Sequence, residues 1–192
     1  TYKEYTPDIV RKGVSNFFGN LRDLWSGVNS LLQAKPGPAL ESTGRFLFNT
    51  TVGIYGVFDV ATHLGLQRHP EDLGQTLGRW GVGTGPYLVL PLFGPSNLRD
   101  AAGLLVDSQA SLINQVHPIA ERNALYAARV VDVRAQLLNL TDQVDRMALD
   151  KYSFTRDAYL QKRLNDVYDG DPPQTQDPSE QTDQESPAKT NP

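Results

Sequence analysis

Residues 67–96, in the middle of the chain, contain so many glycines and prolines that a long helix or strand is excluded there. Proline removes a backbone hydrogen-bond donor, and glycine weakens helices and strands alike. We therefore predict a mostly irregular loop, with a short helical turn at 71–77 and an extended piece at 87–90. The glycines and prolines are Gly74, Gly78, Gly81, Gly83, Gly85, Gly94, Pro70, Pro86, Pro91 and Pro95.

The same segment is apolar between its glycines and prolines, which a solvated linker is not. A long apolar loop usually serves a function or faces a lipid surface. The apolar side chains are those of Leu77, Trp80, Val82, Tyr87, Leu88, Val89, Leu90, Leu92 and Phe93.

The sequence before this loop predicts an amphipathic helix. Thr6-Pro7-Asp8 is typical of a helix start, and residues 35–38 are expected to end the helix. We interpret the apolar stripe as the face that packs on the core. The alternative, a helix that lies in a lipid interface, is favoured by Trp25. The stripe consists of Val10, Val14, Phe17, Leu21, Leu24, Val28 and Leu31.

Further helices are predicted at about 41–65, 97–116, 119–140 and 154–167, with a short one beginning at 141. The helix predicted at 41–65 contains Gly53 and Gly56. Each glycine lowers the stability of a helix by about 1 kcal/mol relative to Ala, so we expect another part of the backbone, or a ligand, to approach closely there. Ser96 is expected to cap the helix at 97–116. The buried side of this helix would consist of Leu98, Ala102, Leu105, Leu112, Ile113 and Val116. The predicted fold class is all-α, with one irregular apolar loop and a folded unit covering residues 1–169.

The negative charge of the chain lies in its last residues. The net charge is −4, and residues 170–192 hold five acidic residues and one lysine, so that residues 1–169 are neutral with 17 basic and 17 acidic side chains. With five prolines and one aliphatic side chain, the segment 170–192 is expected to be disordered. A neutral body without a basic stripe is not expected to bind nucleic acid.

Composition and motifs argue against an enzyme. The chain has no Cys, which excludes thiolate metal sites and a cysteine nucleophile. It has no nucleophile elbow, and the glycine-rich stretch at 81–86 lacks the lysine of a phosphate-binding loop. His63 and His69 are six residues apart, which does not place both imidazoles on one face of a helix, and Pro70 separates them from Glu71 and Asp72, so that a metal site is disfavoured. No apolar run approaches the roughly 18 residues that a membrane-spanning helix needs.

Ionisable residues flank the apolar loop, and two interpretations of them are open. In the structural interpretation they form ion pairs that hold the loop to the helices, and Asp59 caps a helix or pairs internally. In the functional interpretation some of them line a polar path through an apolar body. The residues concerned are Asp59, Glu71, Asp72, Arg79, Arg99 and Asp100.

A series of short motifs along residues 1–169 resembles one known family. The motifs are Gly13-Val14-Ser15-Asn16-Phe17-Phe18-Gly19-Asn20-Leu21, Arg45-Phe46, Asn49-Thr50, Gly53, Asp59, Glu71-Asp72-Leu73-Gly74-Gln75-Thr76-Leu77-Gly78, Trp80-Gly81-Val82-Gly83-Thr84-Gly85-Pro86-Tyr87, Pro91, Gly94, Pro95, Arg99-Asp100, Arg134-Ala135-Gln136-Leu137-Leu138 and Arg156-Asp157-Ala158-Tyr159. The family is that of the MlaA/VacJ lipoproteins, which belong to the system that maintains lipid asymmetry in the outer membrane of Gram-negative bacteria.

The resemblance implies a ring of amphipathic helices in the inner leaflet of the outer membrane. A central amphipathic channel would admit phospholipids mislocalised to the outer leaflet and pass them to a soluble periplasmic carrier. The family also associates with trimeric porins. Its members begin with a signal peptide and a lipidated Cys, so we expect an N-terminal segment with the lipid anchor to precede Thr1 in the full-length protein.

On this resemblance, the predicted function is phospholipid transport, without cofactor or metal. The alternatives are a porin-bound structural adaptor and a phospholipid-degrading enzyme, which the absent nucleophile motif disfavours. The predicted gating loop and its apolar lining consist of Gly74, Leu77, Gly78, Trp80, Gly81, Val82, Gly83, Gly85, Pro86, Tyr87, Leu88, Leu90, Pro91 and Gly94. The predicted scaffold, or polar side of the path, consists of Asn49, Asp59, Glu71, Asp72, Arg99 and Asp100.

Overall fold

The structure, a computed structural model, describes residues 5–91, 93–147 and 150–173. Helices dominate these residues and one two-stranded antiparallel sheet interrupts them, which confirms the predicted helical class. The predicted disordered tail lies outside the described residues from 174 onward. The elements in chain order are α1 (Asp8–Leu32), α2 (Pro36–Thr51), α3 (Val60–His63), α4 (Leu73–Arg79), β1 (Tyr87–Leu90), β2 (Gly94–Asn97), α5 (Leu98–Ala110), a 3₁₀-helix (Leu112–Gln115), α6 (Ile119–Met147) and α7 (Lys151–Val167).

Helices α1 and α2 pack along each other and are joined by a three-residue turn. Ala34 adopts a left-handed conformation in this turn, with φ of 58°. Pro36 begins α2, since the first position of a helix needs no backbone donor. The predicted start of this helix near residue 41 was therefore too late. A Cβ at Gly27 would lie 2.9 Å from Thr43 Oγ1, which shows how closely the two helices approach.

The long helix predicted at 41–65 is wrong, because α2 ends at Thr51. A tight turn follows in which Ile54, Tyr55 and Gly56 have positive φ values of 51°, 54° and 86°. The glycines are required by this turn: a Cβ at Gly53 would collide with the Phe58 carbonyl. The predicted close backbone approach is present, but outside a helix.

The glycine- and proline-rich segment contains more regular structure than the sequence predicted. The helical turn predicted at 71–77 is present as α4, and the extended piece at 87–90 is β1. Strand β2 was not predicted. It pairs with β1 in an antiparallel register that places Tyr87 opposite Asn97 and Leu90 opposite Gly94. Gly94 has a φ of 82° where β2 begins.

The later helices follow the prediction with shifted boundaries. Asn97, instead of Ser96, caps α5 by accepting a hydrogen bond from the Asp100 backbone amide at 2.8 Å. Helix α5 ends at Ala110, before the predicted end near 116. Helix α6 runs on to Met147, through the predicted end at 140 and the predicted start of a separate helix at 141. Helix α7 packs on α4 and β2, and α6 packs on α1.

The interior of the described chain is polar. Seventeen buried side chains are polar or charged and only six are apolar. The six are Phe18, Ala39, Ala61, Ile113, Ala135 and Val167.

The predicted core-facing stripe is wrong for α5 and only partly correct for α1. On α1, Leu31 is 64% exposed, whereas Asn20 and Asp23 are buried. On α5, Leu105 is 71% exposed, whereas Asp100 is buried. Ile113, in the 3₁₀-helix, is buried as predicted. The stripe residues within α5 are thus exposed, whereas the stripe of α1 is half-buried in its middle and exposed at both ends. No helix in the described part of the chain is both long and apolar enough to traverse a bilayer.

Candidate functional site

A buried arginine, Arg45, connects α2 to three other parts of the chain. Its guanidinium donates through Nη2 to both carboxylate oxygens of Asp59, at 2.8 and 2.9 Å, and through Nε to Asp23 at 3.3 Å. Nη1 donates to the Leu66 carbonyl at 2.6 Å. The residue is 1% exposed, so these acceptors replace water completely. We refer to Arg45, Asp23, Asp59, Asn49 and Thr62 as the Arg45 cluster.

Asn49 and Asp59 organise the turn that precedes α3. The Asn49 amide donates to Asp59 at 3.1 Å, and its carbonyl oxygen accepts from the Ala61 backbone amide at 2.8 Å. Desolvation alone raises the pKa of Asp59, but hydrogen bonds from Thr62, Asn49 and Arg45 outweigh it and hold the pKa at about 2. Asp59 therefore caps α3 and pairs internally as a carboxylate, as the structural interpretation predicts.

A second buried cluster joins α4, α5 and α7 around Asp100. Arg163 donates through Nε to Asp100 at 2.7 Å, and through both terminal nitrogens to Asp72 at 2.9 Å. Tyr159 donates its hydroxyl proton to Asp100 at 2.8 Å, and Arg99 Nη2 lies 2.9 Å from the same carboxylate. Arg163 thus bridges two carboxylates from different helices. We refer to these five residues, with Asn97, as the Asp100 cluster.

The charges of the Asp100 cluster reinforce one another. Desolvation alone raises the pKa of Asp100, but the hydrogen bond and charge of Arg163 outweigh it and hold the pKa at about 2. Desolvation and the hydrogen bond to Asp100 raise the pKa of Tyr159 to about 12. Both groups therefore keep one protonation state across the neutral range.

Small residues bring α4 and α5 into contact beside this cluster. A Cβ at Gly74 would lie 2.5 Å from Asp100 Oδ1, and one at Gly78 would lie 2.5 Å from Arg99 Nη1. A Cβ at Gly103 would lie 2.7 Å from the Gly74 backbone nitrogen. Gly74 and Gly78, predicted as part of the gating loop, therefore lie on a helix that packs against buried charges.

Glu71 connects the segment before α4 to the end of α1. Its buried carboxylate accepts hydrogen bonds from Lys35 Nζ at 3.1 Å and Gln33 Nε2 at 2.8 Å. Lys35 also contacts Asp169 at 2.6 Å. The Lys35 ammonium therefore holds the α1–α2 turn to residues that follow α7.

Residues 81–86, between α4 and β1, lie on the surface and are held by several hydrogen bonds at their two ends. The Leu98 backbone amide donates to the Pro86 carbonyl at 3.1 Å, and the Arg99 amide donates to the Thr84 carbonyl at 3.2 Å. Gly83 has no neighbour within 4 Å of a Cβ position. This part of the predicted gating loop is therefore bordered by open space.

The apolar side chains of the predicted gate lie at or near the surface. Trp80 is 57% exposed and Val82 is 46% exposed, and the Trp80 indole donates to the Leu32 carbonyl at 3.0 Å. The Tyr87 ring makes an edge contact with Tyr152, with ring centroids 5.8 Å apart. Leu77, Leu88 and Leu90 are half-buried.

An apolar groove lies between the first half of α1, the turn before α3, and α6. Its volume is about 760 Å³, which is in the range of small-molecule sites. Val14 and Phe17 supply one wall, Phe58 a second and Leu125 a third. Asp59, which the Arg45 cluster neutralises, lies at its polar edge.

A smaller cavity, with a more polar lining, lies next to this groove along the same pair of helices. Its volume is about 280 Å³, and Phe18 lines both it and the groove. Arginines from three parts of the chain, Arg22, Arg68 and Arg129, line it together with carboxylates of other residues. We refer to it as the arginine cavity.

The predicted site residues fall into separate places. Asp59 borders the groove, and Glu71 and Asp72 border the arginine cavity. None of the predicted apolar lining residues contributes to either space: Leu77, Trp80, Val82, Tyr87, Leu88 and Leu90. Within the described ranges, no three His, Asp or Glu side chains are grouped to hold a metal ion.

Sequence reasoning missed the residues that complete both clusters and the arginine cavity. Arg163 and Tyr159 lie about 60 residues after Asp100, and no local spacing connects them. A detectable signal existed for Asn20, Asp23 and Ser30, because they recur at helical spacing on the side of α1 opposite the apolar stripe.

The fold and its clusters define a helical protein with a polar interior, many exposed apolar side chains and two adjoining cavities, one apolar and one more polar. The chain matches the sequence model of the MlaA lipoprotein family over residues 1–166. It therefore belongs to the MlaA lipoprotein family, which confirms the resemblance that its motifs indicated.

Curated relatives agree with this assignment. The intermembrane phospholipid transport system lipoprotein MlaA of Escherichia coli K12 is 36% identical over 165 residues, which cover 84% of this chain and 64% of that protein. An uncharacterised protein of Rickettsia bellii is 37% identical over 164 residues, with coverages of 84% and 64%. The chain thus spans slightly less than two thirds of the length of these relatives.

A solved structure shares the fold. It comes from work on the structural basis for maintenance of bacterial outer membrane lipid asymmetry. The two chains superpose with a TM-score of 0.74 at 32% identity, covering 86% of this chain and 84% of the other.

Proposed function

We propose that this chain forms part of a lipoprotein that moves phospholipids between membranes. It would remove phospholipids mislocalised to the outer leaflet of the outer membrane. The observation that carries the proposal is the reversed distribution of its side chains, with apolar ones outside and polar ones inside. Such an exterior suits contact with lipid, and a polar interior suits passage of a lipid headgroup. The name of the Escherichia coli relative supports the same function.

Residues 1–169 would form the transporting unit, arranged as a ring of helices around an amphipathic channel. The unit would lie in the inner leaflet of the outer membrane, held by a lipid anchor in the full-length protein and by association with a trimeric porin. Exposed apolar side chains on several helices support residence in the leaflet, and include Ile9, Leu40, Leu47, Leu105 and Ile119.

Residues 74–94 would gate this passage. The open space around Gly83 and the exposure of residues 81–86 support movement there. The Arg45 and Asp100 clusters, with Glu71, would form the rigid scaffold against which the loop moves. Phospholipids would then pass to a soluble periplasmic carrier. Transport of this kind needs no chemical step, cofactor or metal.

Locking the loop onto α5 tests the proposal. A Cβ at Gly85 would lie 3.0 Å from Leu98 Cβ, close to the roughly 3.5–4.5 Å of a disulfide. We expect the double variant Gly85→Cys/Leu98→Cys, in the full-length lipidated protein, to stop delivery of phospholipid to a delipidated periplasmic carrier when oxidised. Reduction of the same sample should restore delivery. This would show that delivery stops because the disulfide locks the loop and not because the variant is misfolded. Mass spectrometry of carrier-bound lipid is the measurement.

Three results would contradict the proposal. Equal transfer in the oxidised and reduced states would exclude the gate. Absence of transfer by folded, porin-bound wild-type protein would favour the structural adaptor. Release of fatty acid or lysolipid during the assay would indicate a phospholipid-degrading enzyme instead of a transporter.

A further inference from the structure

The arginine cavity brings three guanidinium groups together from α1, the segment after α3, and α6. These groups are Arg22, Arg68 and Arg129. Arg68 has a protein partner, since its Nε lies 3.3 Å from Asp23. Arg22 and Arg129 form no hydrogen bond or ion pair with any described residue. Two cations thus line a concave surface without a carboxylate in contact.

The four carboxylates of the cavity wall all have other partners. Asp23 pairs with Arg45 and Arg68, and Asp72 pairs with Arg163. The others are Glu71, bound by Lys35 and Gln33, and Asp107, which accepts from the Trp25 indole at 2.7 Å and the Leu73 amide at 3.2 Å. None of them is left over to neutralise Arg22 or Arg129.

The arginines also repel one another in a partly desolvated space. Desolvation lowers the pKa of Arg22, and the positive charges of Arg129 and Arg68 lower it further. Asp23 and Asp132 oppose this shift, but Asp132 already accepts hydrogen bonds from Ser15 and Gln136. Arg22 is nonetheless exposed, so an entering ligand can reach it. An anion placed between the guanidiniums would relieve their repulsion.

The chemistry of guanidinium groups indicates which anion fits. Arginine forms paired, charge-assisted hydrogen bonds with phosphate oxygens and is more weakly hydrated than lysine. The adjoining groove is apolar, shares Phe18 with the cavity, and continues along α6 from Leu125 and Ala128 to Arg129. The two spaces together offer a charged end and an apolar end to one ligand.

We propose that Arg22, Arg68 and Arg129 bind the phosphate group of a phospholipid whose acyl chain lies in the neighbouring apolar groove. This site rests on the proposed transport function and gives it a specific holding point for the headgroup. Arg22 and Arg129 act as the phosphate ligands that have no competing partner. Arg68 contributes positive charge while it remains paired with Asp23.

The test measures phosphate selectivity in the full-length protein. The variant Arg22→Gln/Arg129→Gln removes two charges that make no internal pair, so its melting temperature should equal that of the wild type. Arg134→Gln is the matched control, because Arg134 is exposed on the same helix and lines neither space. The probes are dihexanoyl phosphatidylglycerol, the uncharged dihexanoylglycerol and inorganic phosphate, each titrated by calorimetry.

We expect the double variant to bind dihexanoyl phosphatidylglycerol at least about tenfold more weakly, while its binding of dihexanoylglycerol is unchanged and the control matches the wild type. Binding of the charged lipid should also weaken with rising salt. Unchanged binding of the charged lipid in the double variant would overturn the phosphate site. Inorganic phosphate binding as tightly as the charged lipid would overturn the lipid assignment in favour of a free-anion site.

Carrier delivery is measured on the same preparations, so that the two proposals fail separately. Normal delivery by wild type, combined with unchanged lipid affinity in the double variant, would reject the arginine site and leave transport standing. Failure of the wild type to deliver phospholipid would reject the transport function itself. Phosphate-selective binding in that case would still support the arginine site as a lipid-holding site.

Discussion

At the scale of single residues, stability depends on a few buried ion pairs between distant parts of the chain. Arg45 is 1% exposed and holds Asp59 and Asp23 at once. Removal of one partner from such a pair leaves an uncompensated buried charge, which is much more costly than loss of a surface pair. These residues are therefore constrained by the fold, whatever else they do.

The same carboxylates make the protein sensitive to acid. Asp59 and Asp100 have pKa values of about 2 in the folded protein, whereas an unfolded Asp has about 3.9. A group with a lowered folded pKa contributes stability above its unfolded pKa and loses it as the pH falls toward the folded value. We therefore expect the free energy of unfolding to fall between about pH 4 and pH 2, measured by urea denaturation. Desolvation raises the pKa of Asp23 and Asp107, which opposes this trend in part.

The variant Asp59→Asn measures how much of this acid-induced loss of stability is due to the Arg45 cluster. Asparagine can still cap α3, but it has no charge to lose, so the fall in stability below about pH 4 should be shallower in this variant. Asp157→Asn is the control, because Asp157 is exposed beside Arg156. Identical acid profiles for both variants would disprove the assignment.

At the scale of elements, the contact between α4 and α5 depends on the absence of side chains. Within a helix, Gly→Ala normally stabilises by up to about 1 kcal/mol. At Gly103 the added methyl would lie 2.7 Å from a backbone atom of α4, which cannot move away without separating the helices. We expect Gly103→Ala to destabilise the protein by about 1–3 kcal/mol in chemical denaturation.

Gly83→Ala is the control for Gly103→Ala. Its Cβ would meet nothing within 4 Å, and its φ is not positive, so the change should leave stability nearly unaltered. A stabilising effect of Gly103→Ala would show that the two helices are not held in this close approach.

The sequence predicted the existence of most helices, but not which face of each helix is buried inside the protein. Periodicity placed α1, α7 and the start of α6 to within a few residues, because any amphipathic helix shows the same spacing. The pattern does not say whether the apolar face meets protein or lipid, and on α1 and α5 the polar face is the one inside. The break after Thr51 was missed because Ile54 and Tyr55 adopt positive φ, which neither residue type indicates. The Arg163 contacts are long-range pairings that local spacing cannot show.

At the scale of the whole molecule, the apolar exterior should determine where the protein resides. Leu105 is 71% exposed on α5, and full burial of a Leu side chain contributes about 1.5–3 kcal/mol. We expect Leu105→Gln to reduce partitioning into phospholipid vesicles by about tenfold in a sedimentation assay. The melting temperature should stay unchanged, since the side chain does not pack inside the protein.

Ala102→Gln on the same helix is the matched control for Leu105. Ala102 is also exposed but presents much less apolar area, so its replacement should alter partitioning only slightly. Equal partitioning of wild type and both variants would indicate that the exterior of α5 does not contact lipid.

The bridge that Arg163 makes between Asp72 and Asp100 has a consequence for biosynthesis. The ribosome completes the two carboxylates long before it reaches the last helix that supplies their shared guanidinium. Until α7 is made, a nascent chain carries two carboxylates that lack their shared guanidinium, so that burying them together is unfavourable. Completion of this part of the interior therefore requires that α7 has been synthesised. A premature stop within α7 yields a chain that cellular proteases can recognise as unfinished.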